Sequence, residues 1–184
     1  MDDSYIAGFF DGEGSAVVLT VRQRVRRGIA YRFRPAILIA QATPEPLEAI
    51  QRHLGYGTVV RRSRSSICRL QINGLMGVLD FAERIMPLSI LKAKQLRALR
   101  EMVLYHRALP PSEPYTRRTI EHLLKLRDRV FHANTWTRSN LSQKYPRERV
   151  LAEHTFVDVA RWRERRSRRM RSLMKERWAA KEVA

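Results

Sequence analysis

The sequence predicts an α+β domain with the element order α-β-β-α-β-β-α-α followed by more helix, and three observations carry that prediction. Runs rich in β-branched residues come in pairs, 15–26 with 31–42 and 57–62 with 66–72, each pair divided by a turn-forming stretch. Amphipathic segments at 45–54, 74–86, 92–109 and 117–134 are bounded by Gly55, Pro87 and the Pro110–Pro111 pair. A short apolar run, YIAGFFDGEGS at 5–15, leads into the first strand pair.

The elements follow in order. Residues 3–11 suit a short helix that Asp2, Asp3 or Ser4 can cap, with Asp11 and Glu13 expected just beyond its end. Strand 15–26 alternates toward its end, which puts Arg22, Arg24 and Arg26 on one face. Strand 31–42 contains Pro35, a residue that belongs at a bulge or an edge. The helix at 117–134 offers Ile120, Leu123, Leu124, Leu126 and Val130 as buried positions. The stretch 135–149 is polar and poorly periodic, hence loop. Residues 161–184 carry 10 Lys+Arg against three Glu on a helix-forming but weakly apolar composition, so they read as a helix formed on nucleic acid or as a disordered arm. The expected division is a domain over 1–155 and a basic extension over 156–184.

Charge narrows the partners. There are 36 Lys+Arg against 18 Asp+Glu in 184 residues, a formal charge of +18, and a polyanion is the natural counterpart. Much of the excess is arginine, which forks onto phosphates and guanine edges. No apolar run approaches the ~20 residues needed to span a bilayer, and no cleavable leader precedes the chain, so an intracellular protein with no membrane partner is expected. The single cysteine, Cys68, permits neither an internal disulfide nor a cysteine metal cage. No Walker loop, no G-x-G-x-x-G after a strand and no H-E-x-x-H interrupts the chain.

The opening run joins an apolar helix to a pair of carboxylates. An apolar helix with Ala7 and Gly8 on one strip is by itself a packing element. The acids at alternate positions, bracketed by Gly12 and Gly14, suggest more. Glycines allow close backbone approach, and one or two carboxylates with water and phosphate suit Mg²⁺. A calcium loop is excluded, because its sixth position is Ala16 and its closing acid is replaced by Arg22.

I-A-G-F-F-D-G-E-G at 6–14 resembles the LAGLIDADG motif of homing endonucleases and their maturase relatives. The element order agrees with the αββαββα core of that family, which has a saddle-shaped antiparallel sheet; the likeness covers roughly 3–110. The resemblance implies two such helices packed through Ala7 and Gly8, with Asp11 at the same interface as a cap or orienting group. It implies Glu13 as the catalytic metal ligand, Gly12 as a carbonyl ligand, and Mg²⁺ or Mn²⁺ as cofactor. Lys92 and Gln41 are the other expected catalytic residues. One motif per chain implies a homodimer and a near-palindromic double-stranded DNA target. The implied reaction is a metal-dependent double-strand cut leaving short 3′ overhangs. Arg22, Arg24, Arg26, Arg32, Arg34, Arg62, Arg64, Arg69 and Gln71 on the sheet are the expected DNA contacts, with Arg138, Ser139 and Lys144 in the polar loop. Pro44 and Glu48 depart from the glutamine and arginine that some relatives place in that region. The same fold also suits an intron maturase binding RNA, or a DNA-binding regulator that does not cut. The small size and the absence of splicing motifs favour an intron-encoded or freestanding frame over an intein.

Overall fold

The computed structural model describes residues 1–26, 28–61, 66–110, 113–133 and 145–182, with side chains as far as Met174. Helix α1 (Asp3–Glu13) leads into strands β1 (Gly14–Val25) and β2 (Gly28–Gln41). Then come α2 (Glu45–Leu54), β3 (Thr58–Arg61), β4 (Cys68–Ile72), α3 (Leu75–Ile85), α4 (Ala93–Ala108), α5 (Arg117–His132), α6 (Arg147–Glu153) and α7 (Val159–Glu182). The predicted order holds throughout. Arg62, Arg64, Trp136, Arg138, Ser139 and Lys144 lie outside the described residues, as does most of the 135–149 stretch.

The four strands form one antiparallel sheet in the order β1-β2-β4-β3. Pro35 pairs with Val18 in unbroken register, and β4 joins β2 only from Ile37 onward. The proline therefore sits where β2 has a strand on one side only, so its missing N–H costs no ladder bond there. Beyond that point β1 and β2 continue as a two-stranded ribbon. Its free edge is covered by the 154–155 segment: Thr155 N donates to Ile29 O at 2.8 Å and Tyr31 N donates to His154 Nδ1 at 3.0 Å.

Alternation along the strands determines what each sheet face meets. Residues paired directly across the ladder share a face. Ala16, Ile37, Ile39, Leu70 and Ile72 point inward and pack with Ile6 and Phe10 of α1, Leu47 and Ile50 of α2, Phe81 of α3 and Leu99 of α4. A second cluster joins Tyr31 and Phe33 to Met102, Ile120, Leu123, Leu124, Leu126 and Val150 under α4, α5 and α6. All five positions predicted for α5 are buried. The helices thus occupy one side of the sheet, and the other side is open. Among the described residues no helix is long and apolar enough to cross a membrane.

Candidate active site and nucleic-acid interface

Helix α1 starts where Asp2 Oδ1 accepts from Tyr5 N at 2.9 Å. It runs through Glu13, so both acids of the motif lie in its last turn rather than past its end. Gly14 stops it: a Cβ there would sit 1.9 Å from Phe10 Cδ2 and 2.6 Å from Phe10 O. Glycine is needed at that point so that the backbone can turn tightly against the Phe10 ring into β1.

The two acids have opposite surroundings. Asp11 is saturated: its carboxylate accepts from Ser89 Oγ at 2.5 Å, Ile90 N at 2.7 Å, and Leu91 N and Lys92 N at 3.1 Å each. It ties down the turn that leads into α4 from a different helix, bonding the amides of residues 90–92 ahead of that helix's first residue. Partial burial pushes the Asp11 carboxyl up, but the Ser89 hydroxyl and the three amides outweigh it and hold the pKa below the ordinary value. Glu13 is exposed, and among the described residues nothing donates to its carboxylate.

Lys92 is brought to the same place. Its Nζ donates to Phe10 O at 2.9 Å and lies 3.5 Å from Gly12 O, against the C-terminal carbonyls of α1. The ammonium therefore sits at the negative end of that helix. Burial lowers the Lys92 pKa, while the charges of Asp11 and Glu13 pull it the other way without restoring it. Register carries Gln41 two residues beyond the Gly14–Ile39 pair, toward this end of α1, where its Oε1 accepts from Ala42 N at 2.7 Å. Ser89 was not among the residues expected from sequence, although a serine three residues ahead of Lys92 is the residue type that bonds a helix's first amides.

The oxygen donors fit a hard divalent cation in half a site. Glu13 supplies a free carboxylate and Gly12 a carbonyl, and among the described residues no three His, Cys, Asp or Glu side chains cluster to complete a cage. A cation of the Mg²⁺ kind accepts this set when water, phosphate and a second carboxylate fill the rest.

Around the acids α1 presents a flat strip. Tyr5, Gly8 and Gly12 recur at helical spacing on the exposed side, and a Cβ on either glycine would meet nothing within 4 Å in this chain. Ala7 does not belong to the strip. It is 1% exposed and lies in the core beside Ile6 and Phe10, so the small pair available to another helix is Gly8 and Gly12, not Ala7 and Gly8. Exposed Ile90 and Leu91 follow where Asp11 holds their amides.

The sheet resolves the arginines. Register places Arg34, Arg69 and Gln71 on the open face, together with Arg32, whose guanidinium lies 4.9 Å from the Tyr115 ring centroid. Gln23, Ser15 and Thr58 share that face; being uncharged, they do not stand out in the sequence as the arginines do. Arg22 and Arg24 fall on the opposite face, where both are exposed, so they do not extend the arginine row of the open face. Arg22 is moreover held in an ion pair: its Nε donates to Glu153 Oε2 at 2.8 Å. Tyr31 Oη and Arg149 Nε donate to the same carboxylate, which brings its pKa down to about 2. Arg26 lies past the end of β1, beside α7.

Comparison with known proteins agrees with this geometry. A family model described as LAGLIDADG endonuclease matches residues 6–98, about half of the chain. A search of curated proteins finds no match. Among solved structures, the archaeal intron-encoded homing endonuclease I-Vdi141I, complexed with DNA, is 25% identical, covering 82% of this chain and 92% of that one at a TM-score of 0.67. The homing endonuclease I-CvuI, in complex with the I-CreI target in the presence of Mg, shares the fold at 19% identity and a TM-score of 0.67, covering 80% of this chain and 88% of that one. The homing endonuclease I-TnaI shares it at 23% identity and a TM-score of 0.56, covering 72% and 97%. With its motif helix, its sheet order and the family match over the same residues, the chain belongs to the LAGLIDADG endonuclease family.

Proposed function

We propose that the chain is an intracellular, site-specific DNA endonuclease that works as a homodimer on a long, near-palindromic target. The observation that carries this reading is the contrast at the end of α1. Asp11 is fully engaged in holding α4, while Glu13, two residues on, stands free beside Lys92 on the side where Gly8 and Gly12 lie open. Two glycines inside a helix cost roughly 1 kcal/mol each against alanine, and among the described residues nothing packs against either position. A second α1 seated on the strip accounts for them and brings two copies of Glu13 together across a twofold axis.

Glu13 and the Gly12 carbonyl would hold Mg²⁺ or Mn²⁺. When bound, the cation supplies Lewis-acid polarisation of phosphate oxygens and lowers the pKa of water. The chain's own residues do the rest. The open face, with Arg34, Arg69 and Gln71, receives the major groove and sets register on the duplex. The ammonium of Lys92, fixed by two carbonyls, offsets the charge that builds on the phosphate as water adds to phosphorus and the P–O3′ bond breaks. Gln41 lies toward the same end of α1, where its amide would orient water. Two such centres facing each other across a minor groove leave short 3′ overhangs. I-Vdi141I and I-CvuI are described in complex with DNA, which supports DNA over RNA as substrate.

Cleavage of a randomised DNA library by wild type and Glu13→Gln, with Mg²⁺ and with EDTA, tests the proposal. Defined 3′-overhang ends that vanish in EDTA and in the variant are expected. Equal DNA binding by both proteins with no ends from either would replace the nuclease reading by that of a non-cleaving binder.

A further inference from the structure

Helix α7 lies outside the family-matched residues 6–98, and the catalytic reading makes no use of it. It is held at its base. Asp158 Oδ1 accepts from Arg161 N at 3.2 Å, Arg163 forks onto Glu113 at 2.6 and 3.1 Å, and Trp162 is half-buried. Beyond that base the helix stands out in solvent. Residues 161–171 hold seven arginines and one glutamate. Arg161, Arg163 and Arg168 have carboxylate partners in Asp158, Glu113 and Glu164.

Arg165, Arg166 and Arg169 have none among the described residues. Arg165 donates only to the carbonyl of Arg161 in its own helix, and Arg166 lies over the Trp162 ring at 5.0 Å. These three share one helix face and turn it toward the end of the β1–β2 ribbon. Between them and Val25 and Arg26 runs an open groove of about 750 Å³, floored by Trp162 and Leu173. Four guanidinium groups therefore line one groove with no acid among its described lining residues. Like charges at helical i, i+4 spacing repel, and an anion between them removes the cost.

Position says which anion. Gly14 begins β1 at Glu13, and Val25 ends it eleven residues later. At ~3.4 Å per residue the groove lies about 35 Å from the candidate catalytic end, close to one turn of duplex. Arg26 also ends the same ribbon that carries Arg32 and Arg34. We infer that the α7–ribbon groove is a second DNA-contacting surface, which grips the phosphodiester backbone about one helical turn outward from the cut and extends the footprint beyond the sheet. The inference rests on the DNA reading above but not on cutting. Its ligand is a continuous strand of phosphates, read by charge and not by sequence.

The test is the salt dependence of binding to a 40-base-pair duplex of arbitrary sequence, measured by fluorescence anisotropy with full-length protein. A 40-nucleotide RNA hairpin is titrated in parallel. The variants are the triple Arg165→Gln/Arg166→Gln/Arg169→Gln and the corresponding triple lysine substitution, each with a thermal melt to verify folding. Every phosphate that the protein no longer neutralises lowers the slope of log K against log salt by about 0.9. The glutamine triple should lose about 2 to 3 in slope for each subunit bound, about 5 for the homodimer, and more than about 100-fold in affinity near 0.15 M salt, and the lysine triple should retain wild-type slope. A wild-type slope in the folded glutamine triple would overturn the inference. So would a lysine triple as weak as the glutamine one, or a loss seen on RNA only. Because no cleavage is read, a protein that cuts can fail this test and one that does not cut can pass it.

Discussion

Asp11 and Glu13 are two residues apart in one helical turn, yet the structure gives their removal opposite consequences. Asp11→Ala deletes the acceptor for Ser89 Oγ and for three amides in the turn before α4. The Ile90 and Leu91 amides are exposed and can turn to water, so most of the loss comes from the partly buried Ser89 hydroxyl and Lys92 amide. Hydrogen bonds to a charged group contribute ~1.5–3 kcal/mol. A combined loss of about 2–3 kcal/mol follows, or about 5–10 °C in melting temperature for a chain of this size. The Asp11 pKa lies below its unfolded value, so this contribution is complete above about pH 4 and is lost as pH falls through the folded pKa. Glu13→Gln removes a charge that no described residue hydrogen-bonds, at the helix end where an anion is unfavourable by ~0.3–1 kcal/mol, a cost that the neighbouring Lys92 ammonium partly offsets. Its melting temperature should match wild type or rise slightly while cutting is lost. The assay is circular-dichroism melting at one fixed chain concentration, since dimerisation links stability to concentration. It is run in EDTA and in Mg²⁺, at pH 7 and pH 3. An Asp11→Ala protein that melts like wild type in EDTA and is weakened only when metal is present would refute the anchoring of the 89–92 turn and make Asp11 a ligand.

Three further outcomes follow from the same geometry. Gly8→Leu should stabilise α1 within the chain by up to ~1 kcal/mol, since a Cβ there meets nothing within 4 Å among the described residues, while shifting sedimentation from dimer to monomer. Gly14→Ala should lower the melting temperature through overpacking worth ~1–3 kcal/mol, because its Cβ would lie 1.9 Å from Phe10. The Glu153 carboxyl is held at about 2 by Tyr31, Arg22 and Arg149, so its contribution is full above the ordinary glutamate range and is lost as pH falls toward 2. Glu153→Gln should therefore flatten the acid limb of the melting-temperature profile across that window.

What was legible in the sequence was local. Element order came from hydrophobic period and from Gly and Pro at the boundaries, and the start of α1 from a capping acid at Asp2, whereas its end at Glu13 instead of residue 11 was set by the Phe10 ring against Gly14. The motif was legible for the same reason, since nine consecutive residues carry the buried side, the glycines and the acids together. The arginine tail showed its charge, but not that it folds back as α7 beside the ribbon to form a groove with Arg26. Strand register was not legible, and a slip of one residue exchanges the two faces of a sheet. Register alone separates Arg34 and Arg69 on one face from Arg22 and Arg24 on the other. The helix face taken by Ala7 depends likewise on what packs against α1, and that is the inner side of strands and helices up to about 100 residues away. The partners of the charged groups were the most distant of all: Asp11 finds Ser89 across 78 residues and Arg22 finds Glu153 across 131. Sequence by itself determined which segments become helix and strand and which residues could do chemistry. Tertiary structure alone decided which carboxylates and guanidinium groups are bound within the chain and which remain free for a cation or a phosphate, because a charge finds its partner through space and not along the chain.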